Sequence, residues 1–110
     1  MSTVHESPVK FYPGNVTLPD YLDHAQTTAY RAASHAARAM PEDTPLIDFH
    51  HTLLPGLLVC VESWDIPKLR QPVTADNFPV TPPDSARKLT QWLLGIVSDL
   101  LHDAEDIPNA

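Results

Sequence analysis

The first groups in this chain whose chemistry could amount to a site are two adjacent histidines, His50 and His51, two residues beyond Asp48, with His35 able to join from an earlier segment. Imidazole and carboxylate together suit zinc, but ligands that share a helix face stand three or four positions apart. Neighbouring helical residues diverge by about 100°, so only one of the pair can serve, and no HExxH or CxxC pattern accompanies them. The spacing predicts ordinary histidines and no metal site. Cys60 could be read with a histidine as nucleophile and base. It lies in the run Leu57-Leu58-Val59-Cys60-Val61, where a thiol is expected to be a small, inert, buried hydrophobe. The carboxylate pairs Asp20/Asp23 and Glu42/Asp43 stand at expected helix entries, where the helix dipole accounts for them. Gly14, Gly56 and Gly95 are the only glycines, too dispersed for a phosphate-cradling loop. The chemistry-bearing residues therefore lead to the expectation of a protein that is not an enzyme and takes no cofactor.

The elements that would position these residues are punctuated by proline. Twelve prolines in 110 residues is about twice the usual share of roughly 5%. Pro67, Pro72, Pro79, Pro82 and Pro83 crowd one stretch, whereas 20–40 and 84–107 have none. Because proline fixes φ and lacks an N–H, the chain divides into helix-permitting blocks and stiff connectors. The expected fold is mainly α: a single small three-helix domain over 1–110 with a short N-terminal hairpin and a Pro-rich connector before the last helix. Residues 1–8 are expected to be flexible, as is a tail over 105–110. The hairpin is placed at 9–18, with Val9–Tyr12 and Asn15–Leu18 turning at Pro13-Gly14.

The first helix is predicted over 23–40, with Asp23 and Gln26 in capping-box spacing. Ala25, Ala29, Ala32, Ala33, Ala36, Ala37 and Met40 form its apolar face, small enough for close approach by a neighbouring helix or a second subunit. The second helix is predicted over 45–63, with Thr44 as its cap. Pro55 either kinks this helix or divides it in two. Being apolar on nearly every side, it is either the central element or covered by a partner. The segment 64–80 is read as an irregular strap anchored by Trp64, Ile66, Val73 and Phe78. The third helix, over 82–104, is capped by Thr81 and carries the stripe Leu89, Trp92, Leu93, Ile96, Val97, Leu100 and Leu101. Its acidic C-terminal turn, Asp103 to Asp106, has the wrong sign for the dipole and is expected to fray.

Charge and composition bound the partners. The formal net charge of −7 argues against a nucleic-acid surface, which needs a Lys/Arg footprint. No run approaches the roughly 20 apolar residues of a membrane span, and the N-terminus lacks the basic and apolar regions of a signal peptide. A lone cysteine excludes an internal disulfide and suits a reducing cytoplasm.

Leu53-Leu54-Pro55 leading to Glu62-Ser63-Trp64-Asp65, then Thr74-Ala75-Asp76-Asn77-Phe78-Pro79, Thr81-Pro82 and Leu89…Trp92-Leu93, resembles the small tail assembly chaperones and tail-associated proteins of siphophages. The opening Tyr12-Pro13-Gly14-Asn15-Val16-Thr17-Leu18-Pro19 is similar to the start of some of them, and the likeness spans about 60 residues, none of them catalytic. The resemblance implies a virion-assembly role in the host cytoplasm, binding a tape-measure protein or tail-tube subunit. Candidate partner-binding anchors are Trp64, Phe78 and Trp92, since aromatic side chains dominate interface energetics; equally, all three could close the core over the strap. A homo-oligomer is compatible with the sequence. A structural tail or connector subunit of the virion, and a small acidic inhibitor of a host protein, are the alternatives. A chaperone is absent from finished particles and a subunit is present in fixed copy number. An acidic inhibitor loses binding steeply with salt.

For the histidine pair, zinc titrated into the protein in a calorimeter is expected to give no binding heat; a saturable exotherm at unit stoichiometry would reverse the reading.

Overall fold

The computed structural model describes residues 2–106, and the expectations for Met1 and for 107–110 lie outside them. Three helices and one small antiparallel sheet are arranged as β1 (Ser2–Glu6), β2 (Asn15–Pro19), α1 (His24–Arg38), α2 (Leu46–Leu58), β3 (Ser63–Asp65) and α3 (Pro83–Asp106). The sheet order is β1-β2-β3.

A hairpin is present, but its first arm is not Val9–Tyr12. That arm is β1, which lies within the segment expected to be flexible and pairs Ser2 with Pro19 through Glu6 with Asn15. Residues 7–14 form the connecting loop, closed by a hydrogen bond from Ser7 N–H to the Gly14 carbonyl at 2.9 Å. The reason is burial: Val9 and Tyr12 both point into the core, a spacing of three that an alternating strand cannot deliver to one face. Gly14 has φ +141°, and a Cβ there would come within 2.2 Å of the Asp65 carbonyl oxygen. Glycine is thus required both by the dihedral and by the approach of β3. On β2, Val16 and Leu18 are fully buried, so this strand carries the core face of the sheet.

The sheet has a third strand at the junction of the helix expected over 45–63 and the irregular strap expected over 64–80. α2 stops at Leu58, and Ser63–Asp65 pairs antiparallel with β2, setting Trp64 opposite Val16. A single apolar residue between Ser63 and Asp65 has no detectable period, and only the pairing with β2 makes this segment a strand. The bond from Glu62 N–H to the Thr17 carbonyl, at 2.8 Å, extends the ladder.

The first helix is capped as its spacing predicts: the Asp23 carboxylate accepts from Gln26 N–H at 2.7 Å, and the Gln26 side chain accepts from Asp23 N–H at 3.0 Å. Thr44 and Thr81, in contrast, cap nothing. Pro45 is the N-cap residue of α2 and gives no side-chain bond. α3 begins at Pro83, after Pro82 has already accepted the bond from Ala86 N–H, so proline occupies the first helical position, where its missing N–H costs nothing. Pro55 neither divides nor ends α2, which is continuous through it; its ring is on the exposed side, where water reaches the freed carbonyl. The α3 backbone remains helical to Asp106, past the expected start of a flexible tail at 105.

α1 and α2 pack through small residues. Only part of the alanine face is used: Ala37 is buried and Ala29 and Ala33 half-buried, while Ala25, Ala32 and Ala36 are exposed. Gly56 of α2 sits against them so closely that a Cβ would lie 2.7 Å from the Ala33 Cβ, 2.9 Å from the Ala29 carbonyl oxygen and 3.0 Å from the Tyr30 Cα. α3 closes the core with Leu89, Leu93 and Val97, and the Tyr30 and Ser98 hydroxyls, 2.7 Å apart, join α1 to α3.

Two glycine substitutions should have opposite signs. Gly56→Ala forces α1 and α2 apart and should cost about 1–3 kcal/mol as overpacking, more than the up to ~1 kcal/mol that alanine gains over glycine in a helix. Gly95→Ala, on the exposed side of α3 with nothing within 4 Å of its Cβ, should stabilise by about 0.5–1 kcal/mol. Thermal melts of both variants test the packing; an unchanged or raised Tm for Gly56→Ala refutes the close contact.

Candidate functional site

A cleft of about 320 Å³ opens where α2, the end of the Pro-rich connector and the start of α3 meet. One face of α2 supplies Leu46, Ile47, His50, His51 and Leu54, the connector supplies Ala75, Asp76, Phe78, Pro79 and Val80, and the first two turns of α3 supply Asp84, Ala86, Arg87 and Thr90.

Each wall has a local cause. On α2 the lining positions recur at i, i+4 and i+8, one stripe of the helix, leaving Leu53, Gly56 and Leu57 to face the core. On the connector, Thr74 and Asn77 bond reciprocally. The Asn77 side-chain oxygen accepts from Thr74 N–H at 2.8 Å, the Thr74 hydroxyl accepts from Asn77 N–H at 3.2 Å, and the Asn77 side-chain amide donates to the Pro72 carbonyl at 2.8 Å. This fixed turn points Phe78 inward, where it is 6% exposed. The polar residues of the Thr74-to-Pro79 motif therefore shape a turn, and its phenylalanine forms the floor of the cleft. The Tyr12 hydroxyl donates to the Thr81 carbonyl, holding the connector's exit from the opposite end of the chain. On α3, the Thr90 hydroxyl returns to the Ala86 carbonyl at 3.2 Å, so this buried polar group leaves no unmet donor.

The floor is apolar and the rim is apolar but uncovered. Leu46 is 45% exposed, Ile47 55% and Val80 54%, three branched aliphatic side chains around one opening. The charged groups are Asp76, Asp84 and Arg87; Arg87 reaches the Asp84 carboxylate at 3.4 Å in an ion pair largely open to solvent. His50 lies buried beneath them. Its pKa is held below the ordinary value, first by burial, which disfavours the charged ring, and second by the nearby Arg87 guanidinium.

The three aromatic candidates are not gathered at this opening. Phe78 is in the floor. Trp64, half-buried on β3, stacks edge-to-face on Phe78 with centroids 6.2 Å apart and braces the floor from behind. Trp92 is half-buried against the core on α3 and does not line the cleft. Of the connector anchors, Ile66 and Phe78 are buried and Val73 is half-buried; Leu69, also buried, is a further one. What sequence reasoning missed is the aliphatic rim. Leu46 and Ile47 were legible only as part of a helix apolar on every side, and Val80 as one residue between two prolines.

His50 and His51 both border the cleft, while His35 lies on α1 beside Arg31 and Arg38. Among the described residues no group of three or more His, Cys, Asp or Glu side chains could hold a metal ion. Cys60 is fully buried, its thiol donates to the Gly56 carbonyl at 3.3 Å, and burial with the Asp23 charge pushes its pKa up to about 11. A thiol so placed is neither ionised nor accessible. Among the described residues, no helix is long and apolar enough to cross a membrane.

The chain matches no family model, no curated protein and no solved structure.

The depressed His50 pKa gives a signed pH dependence. The folded state prefers the neutral ring, so between the unfolded value near 6.5 and the lower folded one the unfolded chain binds more protons. The contribution of His50 is complete above about pH 6.5 and is lost as pH falls through its folded pKa. Denaturant melts from pH 7.5 down to 4.5 should show a stability loss in wild type that is smaller in His50→Asn; parallel curves overturn the assignment.

Proposed function

We propose that the protein is a non-enzymatic binding module that holds an apolar segment of another protein in the α2–connector–α3 cleft. The observation that carries this reading is the uncovered ring of Leu46, Ile47 and Val80 around the Phe78 floor. A small domain that needs aliphatic side chains for its core has left three at one opening, the arrangement expected of a protein-contact surface. Among the polar groups at the cleft Thr90 is tied up locally, Asp76, Asp84 and Arg87 are charged, and His50 and His51 stand on the α2 wall.

The resemblance of the segments around Trp64, Thr74–Pro79 and Trp92 to siphophage tail assembly chaperones supplies the biological setting. On that reading the bound segment belongs to a tape-measure or tail-tube protein, held while the tail is built in the host cytoplasm. Phe78 contributes the floor that the segment meets, Trp64 keeps Phe78 in place, and Trp92 secures α3 against the core.

The test is co-expression with candidate tail proteins, affinity capture, and mass spectrometry of both the captured material and purified particles. Capture of a tape-measure or tube protein, with the module missing from particles, is the expected result. The double variant Leu46→Asp/Ile47→Asp should abolish that capture while leaving the Tm within a few degrees of wild type, since both side chains are already half in water. Recovery in fixed copy number from particles would make the protein a virion subunit, and undiminished capture by the double variant would remove the cleft from the reading.

A further inference from the structure

We propose that the occupant of this cleft is an amphipathic α-helix of the partner, carrying aliphatic residues at helical spacing and a lysine or arginine beside them. The inference rests on the reading of the cleft as a binding surface and names what that surface selects.

Backbone chemistry decides between a helix and a strand. An extended segment binds by adding main-chain hydrogen bonds to an open edge. Two walls of the cleft are helices, whose backbone groups beyond the isolated N–H groups of each first turn are already used internally. The third is the connector from Ala75 to Pro82, in which Pro79 and Pro82 lack an N–H and the Asn77 N–H is taken by the Thr74 hydroxyl. The Thr81 carbonyl is already taken by the Tyr12 hydroxyl. A strand laid along this wall would find no ladder and would leave its own amides unpaired in an apolar cleft, which is costly. A helix brings its backbone bonds with it and presents only side chains. The rim residues suit that geometry, with Leu46 and Ile47 on one side and Val80 on the other.

Charge decides the flank. Of the three charged side chains at the cleft, two are acidic. Asp76 is exposed, and the Asp84 side chain is 86% exposed. Arg87 is the more covered member of its pair with Asp84. A solvent-exposed pair of this kind is weak, so the Asp84 carboxylate can exchange partners when a basic group arrives. The chain as a whole, at −7, attracts a basic segment and repels an acidic one.

The test is selection of random 16-residue peptides displayed on a carrier, panned against the full-length protein, against Ile47→Asp, and against Asp76→Lys/Asp84→Lys. Circular dichroism confirms that each variant is folded. Peptides selected on wild type should repeat aliphatic residues at i, i+3 or i+4, and i+7, with Lys or Arg enriched. They should bind Ile47→Asp at least roughly tenfold more weakly, as truncating a contact residue does. Selection on the doubly reversed variant should enrich Glu or Asp instead. Peptides that depend on Ile47 but alternate with period two, or that show no charge preference, overturn the helical, basic occupant while leaving the cleft as a binding surface. Peptides indifferent to Ile47→Asp, or no enrichment over background, overturn both.

Discussion

The contact between Gly56 and the Ala29–Ala33 turn is the constraint from which the rest of the architecture follows. With no side chain at 56, α2 lies against the α1 backbone, and the helix is fixed in rotation as well as in distance. Leu53, Leu57 and Cys60 are then turned into the core, and Leu46, His50 and Leu54 are turned away from α1 toward α3. The same rotation puts Pro55, next to the contact, on the solvent side, where a residue lacking an N–H can stand in a helix without leaving a carbonyl buried and unpaired. A bulkier residue at 56 would alter which stripe of α2 reaches the cleft as well as the packing density.

The parts of the fold that were legible in the sequence are those with long, single-valued patterns. α3 shows its stripe from Leu89 to Leu101, between three and four turns, with proline at its start. α1 carries its capping box in four residues. The sheet was harder to read because its strands are short and their partners distant. β1 has no buried apolar alternation, and β3 has one aromatic residue to mark it. The Val9–Tyr12 run, rich in strand-forming types, went instead into a buried loop, because the fold needed both ends of that run on the same side. Tertiary burial outweighed local propensity there.

The site was legible in its location more than in its residues. The Pro-rich stretch and the all-round apolar second helix, both plain in the sequence, meet at the cleft. The individual side chains did not follow from residue type. Aromatic residues are the usual interface anchors, yet here Trp64 and Trp92 pack half-buried against the core, and of the three only Phe78 reaches the cleft. Periodicity identifies which residues of a helix are apolar; it does not tell which of two apolar stripes is left uncovered when a helix has neighbours on one side only.

The bond between the Tyr12 hydroxyl and the Thr81 carbonyl has a consequence for synthesis of the chain. The cleft draws on residues 46–54, 75–80 and 83–90, and its connector wall is pinned by a residue near the opposite end. It cannot be completed on the ribosome until most of the polypeptide has emerged, and until then its α2 and connector walls stand without α3. The complete cleft therefore exists only once residues 12–90 are all in place. A partial product stalled before α3 would expose the apolar α2 and connector walls alone, since Asp84 and the helix that carries it arrive with the final quarter of the chain.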